Sequence, residues 1–214
     1  PSADGYNLQI NSYEGTIYMV ANAGNMIDLQ QMKEEGISEE EWKKTTMAMS
    51  NGKVVNFFTG SLVIDGQNQP SQSLTLKRGV ARFDLNVDVA GSAAIESLTL
   101  RNVAQSGYLF AQGEVAASPA DVERNDVTAH FDTALSASTP GVLYVYEQEN
   151  AGIEVSIEAV IDGQHKVLTK TLEGNLKRNT IYTVTVRKND IDIVVKVGID
   201  DWEPGEDTEI IPQL

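Results

Sequence analysis

The chain contains no cysteine in its 214 residues. Disulfides, thiolate metal centres, iron–sulfur ligation and thiol catalysis are therefore excluded for this sequence. Histidine is nearly as scarce, with His130 and His165 the only two. Basic residues are outnumbered, 16 Lys and Arg against 31 Asp and Glu, for a formal net charge of -15. Nucleic acid and anionic membrane surfaces would repel such a chain. No apolar run approaches the roughly 20 residues of a membrane-spanning helix. The Gly-x-Gly-x-x-Gly and Walker phosphate loops are missing, as is the Gly-x-Ser-x-Gly elbow of serine hydrolases. No signal peptide is present either, and Pro1-Ser2-Ala3-Asp4-Gly5 reads as a truncated or processed start.

What is present is strand after strand. Hydrophobic residues make up 41% of the chain, enough for one large or two small packed domains. The stretch 176–202 reads as a closing β-hairpin. Residues 181–186 alternate Ile181, Thr183 and Thr185 with Tyr182, Val184 and Val186, and residues 187–190 supply a turn. On the return, Ile191, Ile193, Val195, Val197 and Ile199 share one face, and Val194 is the only apolar residue on the other. One face is core and the other is wet, as in antiparallel sheets.

Earlier segments repeat the pattern. Residues 15–22 alternate, and so do 81–89 and 95–103. Between them, residues 27–35 and 38–47 read as two short helices: Gly36 ends the first, and Ser38 with Glu41 has capping-box spacing for the second. Trp42 is the expected anchor of this excursion. Ser50-Asn51-Gly52 is a turn, residues 54–64 a strand broken or bulged around Gly60, and residues 73–76 a short strand. Periodicity fades over 104–139, with a short strand near Phe131. It returns at 142–147, at 153–161, at the Asp162-Gly163 hairpin turn and at 166–172. Regular short strands with turn signals indicate an all-β sandwich.

Catalytic chemistry has few candidates. His165 falls beside the Asp162-Gly163 turn, where a solvated residue is expected. The acidic groups Asp190/Asp192 and Asp200/Asp201/Glu203/Glu206/Asp207 offer oxygen ligands for calcium, but the EF-hand spacing is missing and a solvated face explains them. The reading is that the chain is not an enzyme and carries no catalytic, cofactor-binding or metal residue.

The order Leu176-x-Arg178-Asn179-x-x-Tyr182, followed by two strands, Trp202 and Gly205, resembles the C-terminal signature of the fimbrillin superfamily, the type V pilus subunits and related surface lipoproteins of Bacteroidales. Ile17-Tyr18-Met19-Val20-Ala21-Asn22 before a helical excursion resembles that family's N-terminal domain. So does residues 74–83 taken with Ser97-Leu98-x-Leu100-x-Asn102. The resemblance implies two tandem Greek-key, transthyretin-like β-sandwich domains, with the helical excursion in the first. Residues 1–108 would form the N-terminal domain, lacking its first strands and carrying the insert at about 27–47. Residues 109–214 would form the C-terminal domain with a tail at 203–214.

The implied function is a structural or adhesive fimbrial subunit on the cell surface and outer membrane, exported by a signal peptide not in this chain. It would assemble with other fimbrial subunits by β-strand addition. Ile210, Ile211 and Leu214 are the candidate donor strand, and Leu176, Arg178, Asn179, Tyr182 and Trp202 the structural motif. Stalk subunits mature by cleavage after an arginine, and no arginine precedes Arg78, so this chain does not show that site; a tail shorter than a stalk donor needs would suit a tip or accessory subunit. The alternative is a monomeric outer-membrane lipoprotein that binds a host or bacterial surface glycan or another ligand. No cofactor is implied.

Overall fold

The structure is a computed structural model that describes residues 14–65 and 73–197. Thirteen strands and two short α-helices run in the order β1 (Glu14–Ala21), α1 (Leu29–Glu35), α2 (Glu39–Lys43), β2 (Thr46–Ala48), β3 (Phe58–Asp65), β4 (Lys77–Arg78), β5 (Val80–Val87), β6 (Ala93–Ala104), β7 (Ser106–Tyr108), β8 (Arg124–Leu135), β9 (Thr139–Tyr146), β10 (Glu154–Ile161), β11 (Gln164–Thr171), β12 (Thr180–Val186) and β13 (Ile191–Val197). The class is all-β, as read from the sequence.

Two four-stranded sheets, β11-β10-β6-β8 and β13-β12-β5-β9, enclose the main core. Alternation decides which side chains enter it. Phe83 and Leu85 of β5, Leu98 and Leu100 of β6, Val155 and Ile157 of β10, and Tyr182 and Val184 of β12 are all buried there. Each such side chain contributes about 1.5–3 kcal/mol by leaving water. Strands β12 and β5 pair in parallel, Ile181 opposite Arg82 through Val186 opposite Val87. All the other strand pairs are antiparallel.

A third layer covers one end of the outer face of the β13-β12-β5-β9 sheet. It comprises the β1-β3-β4 sheet, the β2-β7 ribbon and the two helices. A second core lies beneath it, with Met47, Phe57, Leu109 and Phe110 packed on Val80 and Tyr146. Hydrogen bonding thus crosses the expected division at residue 108, because β5 pairs with β9 and β12, and β6 with β8 and β10.

Several local expectations change. The second helix stops at Lys43, and Thr46–Ala48 is a strand paired with β7, because Met47 fills the second core. Gly60 sits in a regular register opposite Met19 rather than at a bulge. A Cβ there would lie 2.5 Å from the Thr75 carbonyl, so the glycine admits residues 74–76 across the sheet. Those residues are not a strand, and β4 begins at Lys77. The short strand near Phe131 is β8, which runs the full span Arg124–Leu135. On β13, Ile191 and Ile193 pack on the main core, whereas Val195 on the same predicted face is 47% exposed.

Candidate functional site

The Leu176–Tyr182 segment is a junction where all three layers meet. Leu176 is fully buried and exchanges both backbone hydrogen bonds with Gln148, at 2.9 and 3.0 Å. Asn179 holds a left-handed backbone (φ 53), which asparagine tolerates, and its N–H donates to the Val80 carbonyl at 2.9 Å. Tyr182 stacks on Phe83 with centroids 5.1 Å apart. Its hydroxyl accepts from the Lys177 N–H at 2.9 Å and donates to the Asn175 carbonyl at 3.1 Å, locking the turn that precedes its own strand. Burial pushes the Tyr182 hydroxyl above the ordinary tyrosine pKa, and the Glu147 carboxylate adds to that. Burial acts on Tyr146 in the same direction.

Arg178 joins the layers. Its Nε donates to Glu147 Oε2 at 2.7 Å, Nη2 to the Tyr108 carbonyl at 2.9 Å and Nη1 to the Leu109 carbonyl at 3.0 Å. The two charged side chains are only 10% and 11% exposed. The planar guanidinium presents several donors in one fork, which lysine lacks. Gln148 is fully buried beside this pair: its Oε1 accepts from the Ala104 N–H at 2.8 Å and from Arg124 Nη1 at 3.2 Å. Neither Glu147 nor Gln148 stands out in the sequence. The only hint is that an arginine in an apolar strand context requires an acid somewhere. Trp202, Ile210, Ile211 and Leu214 lie outside the described residues.

The other candidates do not converge. His165 on β11 and His130 on β8 occupy opposite edge strands of one sheet, more than three strand spacings (about 14 Å) apart because their rows are also offset along the strands, and both are exposed. Asp192 is paired with Lys170 at 2.7 Å, which holds its carboxyl below the usual range. Among the described residues no group of three or more His, Asp or Glu could hold a metal. Trp42 is half-buried against Phe110, ring centroids 5.3 Å apart, and Phe110 also meets Tyr18 at 5.2 Å. Between these helices and β1 runs an open groove of about 520 Å³, lined by residues that include Tyr18, Leu29, Met32, Lys33 and Trp42.

The β1-β3-β4 sheet has two unlike faces. Tyr18 and Val20 turn into the second core. On the opposite face Ile17, Met19, Leu62 and Ile64 are partly buried although they are not in either core cluster of described residues. Among the described residues, Leu74 and Leu76 are brought close over Gly60 and cover part of it. A sheet face this apolar is normally buried against a second layer.

Comparison with known proteins follows the fold. The family described as "Fimbrillin-A associated anchor proteins Mfa1 and Mfa2" matches residues 3–208. A crystal structure from Bacteroides eggerthii DSM 20697, of a protein assigned to cell adhesion, is similar with a TM-score of 0.57 at 12% identity, over 85% of this chain and 76% of that one. The tip fimbrial protein Mfa3 from Porphyromonas gingivalis, with C-terminal truncation, is similar with a TM-score of 0.56 at 15% identity, over 87% of this chain and 80% of that one. At such identities the likeness speaks for the fold. No curated protein matches the sequence significantly.

Proposed function

The chain belongs to the fimbrillin-A associated anchor protein family, and from that premise we propose that it is a structural or adhesive subunit of a fimbria at the cell surface, joined to other fimbrial subunits by β-strand addition. The observation that supports this reading is the apolar, partly buried face of Ile17, Met19, Leu62 and Ile64 outside both core clusters. An extended segment with alternate apolar side chains, added at an edge of this sheet, would take its affinity from backbone hydrogen bonds there and set its apolar side chains against this face for specificity. No enzymatic constellation is needed for such a role. Among the described residues no helix is long and apolar enough to cross a membrane.

Residues 203–214, with Ile210, Ile211 and Leu214, are the candidate donor segment, supplied by one subunit to the next. The test is sedimentation of the full chain, alone and mixed with other fimbrial subunits, before and after deletion of 203–214. Higher oligomers that disappear on deletion are the expected result. Assembly that survives the deletion would remove the tail from the mechanism.

A further inference from the structure

The turn at 50–53 carries a chemically reactive pair. Asn51-Gly52 is the one place in the 214 residues where glycine follows asparagine. Ser50 and Lys53 exchange both backbone hydrogen bonds, at 2.9 and 3.0 Å, across this two-residue turn. Both central residues hold the left-handed backbone, Asn51 with φ 52 and Gly52 with φ 70. Both are exposed, and among the described residues no atom beyond its chain neighbours lies within 4 Å of the Cβ position of Gly52. Neither the Asn51 side-chain amide nor the Gly52 N–H is in a hydrogen bond among the described residues.

The similar turn at Asp162-Gly163 is held in place. Its two residues are also left-handed, with φ 50 and 76. The Asp162 carboxylate, however, accepts from the Ser92 N–H at 3.1 Å and pairs with Lys188 at 2.6 Å. That side chain is fixed, whereas the Asn51 amide is free to swing towards its own backbone.

We propose that Asn51 is a site of spontaneous deamidation, and that the change loosens the outer layer as the protein ages. The Gly52 nitrogen, giving up its proton, attacks Asn51 Cγ. The N–Cγ bond forms, the Cγ–Nδ2 bond breaks, and ammonia leaves with the proton, closing a succinimide ring. Water, the only co-reactant, then opens the ring. Attack at Cγ gives aspartate. Attack at the backbone carbonyl gives isoaspartate, whose main chain runs through the side-chain carbons and is one atom longer. The Gly52 N–H that reacts makes no ladder hydrogen bond, so none is lost with it. Isoaspartate is disruptive, because a two-residue turn joins Ser50 to Lys53 only with a regular backbone. The neighbours carry the effect inward. The Met49 N–H donates to the Gln105 carbonyl at 2.8 Å and the Val55 N–H to the Tyr146 hydroxyl at 3.0 Å, and both side chains pack on the second core. Met47 and Phe57, fully buried in that core, lie just beyond them in the chain.

The test is peptide mapping by mass spectrometry of the full chain incubated at mildly alkaline pH, with isoaspartate measured by enzymatic methylation. Conversion of Asn51 to aspartate and isoaspartate ahead of every other asparagine is the expected result. Limited proteolysis should then cut aged protein faster than fresh protein within residues 14–65. Asn51→Gly keeps a left-handed turn and lacks the amide, so it should stay resistant on ageing. Freshly prepared Asn51→Asp should resist like fresh wild type, because it adds the charge without the extra backbone atom. Asn51 still intact when the urea-unfolded chain has converted it overturns the site. Equal cleavage of aged and fresh protein after conversion overturns the loosening, and so does ageing of Asn51→Gly at the wild-type rate.

Discussion

Arg178 shows how one side chain sets the cost of disassembly. It and Glu147 are almost wholly desolvated, and the guanidinium also satisfies the Tyr108 and Leu109 carbonyls. Arg178→Ala would leave the buried Glu147 carboxylate uncompensated, with only the residue-178 backbone N–H as donor, and would take one donor from each of the Tyr108 and Leu109 carbonyls, a loss of about 3–5 kcal/mol. The measurement is urea unfolding of Arg178→Ala, Glu147→Gln and the double variant. The double variant should be less destabilised than the sum of the singles, because removing the carboxylate's charge relieves part of the penalty. Additive losses would mean that the pair is not energetically coupled.

At the scale of an element, α2 is informative because it is too short to persist on propensity alone. Its five residues are held by a complete capping box: the Ser38 hydroxyl accepts from the Glu41 N–H at 3.2 Å, and Glu41 Oε2 accepts from the Ser38 N–H at 2.8 Å. Glu39, Glu40 and Glu41 complement the N-terminal end of the helix dipole. Ser38→Ala should cost about 0.5–2 kcal/mol locally. Amide exchange across residues 39–44 should accelerate while β10 and β12 stay protected. Unchanged exchange would mean that the Trp42 contact holds the helix without its cap.

For the whole molecule, the two cores share the β13-β12-β5-β9 sheet, the main core on one face and the second on the other. The second core is small and Phe110 is central to it, 6% exposed and in ring contact with both Tyr18 and Trp42. Phe110→Ala should cost about 3–5 kcal/mol, with most of the loss in the outer layer. Limited proteolysis should then cut within residues 14–65 while the strands from β8 to β12 survive. Cleavage of both regions at equal rates would mean that the layers unfold as one unit.

Period-two alternation and turn chemistry made most strands visible in the sequence. Asp162 and Gly163 turn with φ of 50 and 76, and Asn51 and Gly52 with 52 and 70, because those residues accept the left-handed backbone cheaply. The Ser38 cap and the Gly36 stop were legible for the same local reason. Strand β8 was harder to see, since its inward row includes the small Ala129 and is interrupted by the exposed Thr133, which gives little contrast with the outward row.

Strand neighbours were not legible. The parallel pairing of β5 with β12 joins residues about a hundred positions apart, and alternation alone fits many partners equally well. The arginine of the Leu-x-Arg-Asn segment could be read from the sequence by resemblance, but its carboxylate could not, because Glu147 becomes its partner only where three layers meet. The sequence by itself determined which residues are extended, where they turn and which face is apolar, since those follow from local sterics and side-chain period. Only the tertiary structure decided which faces are covered and which strands are neighbours, because burial and pairing are properties of residues brought together from distant parts of the chain.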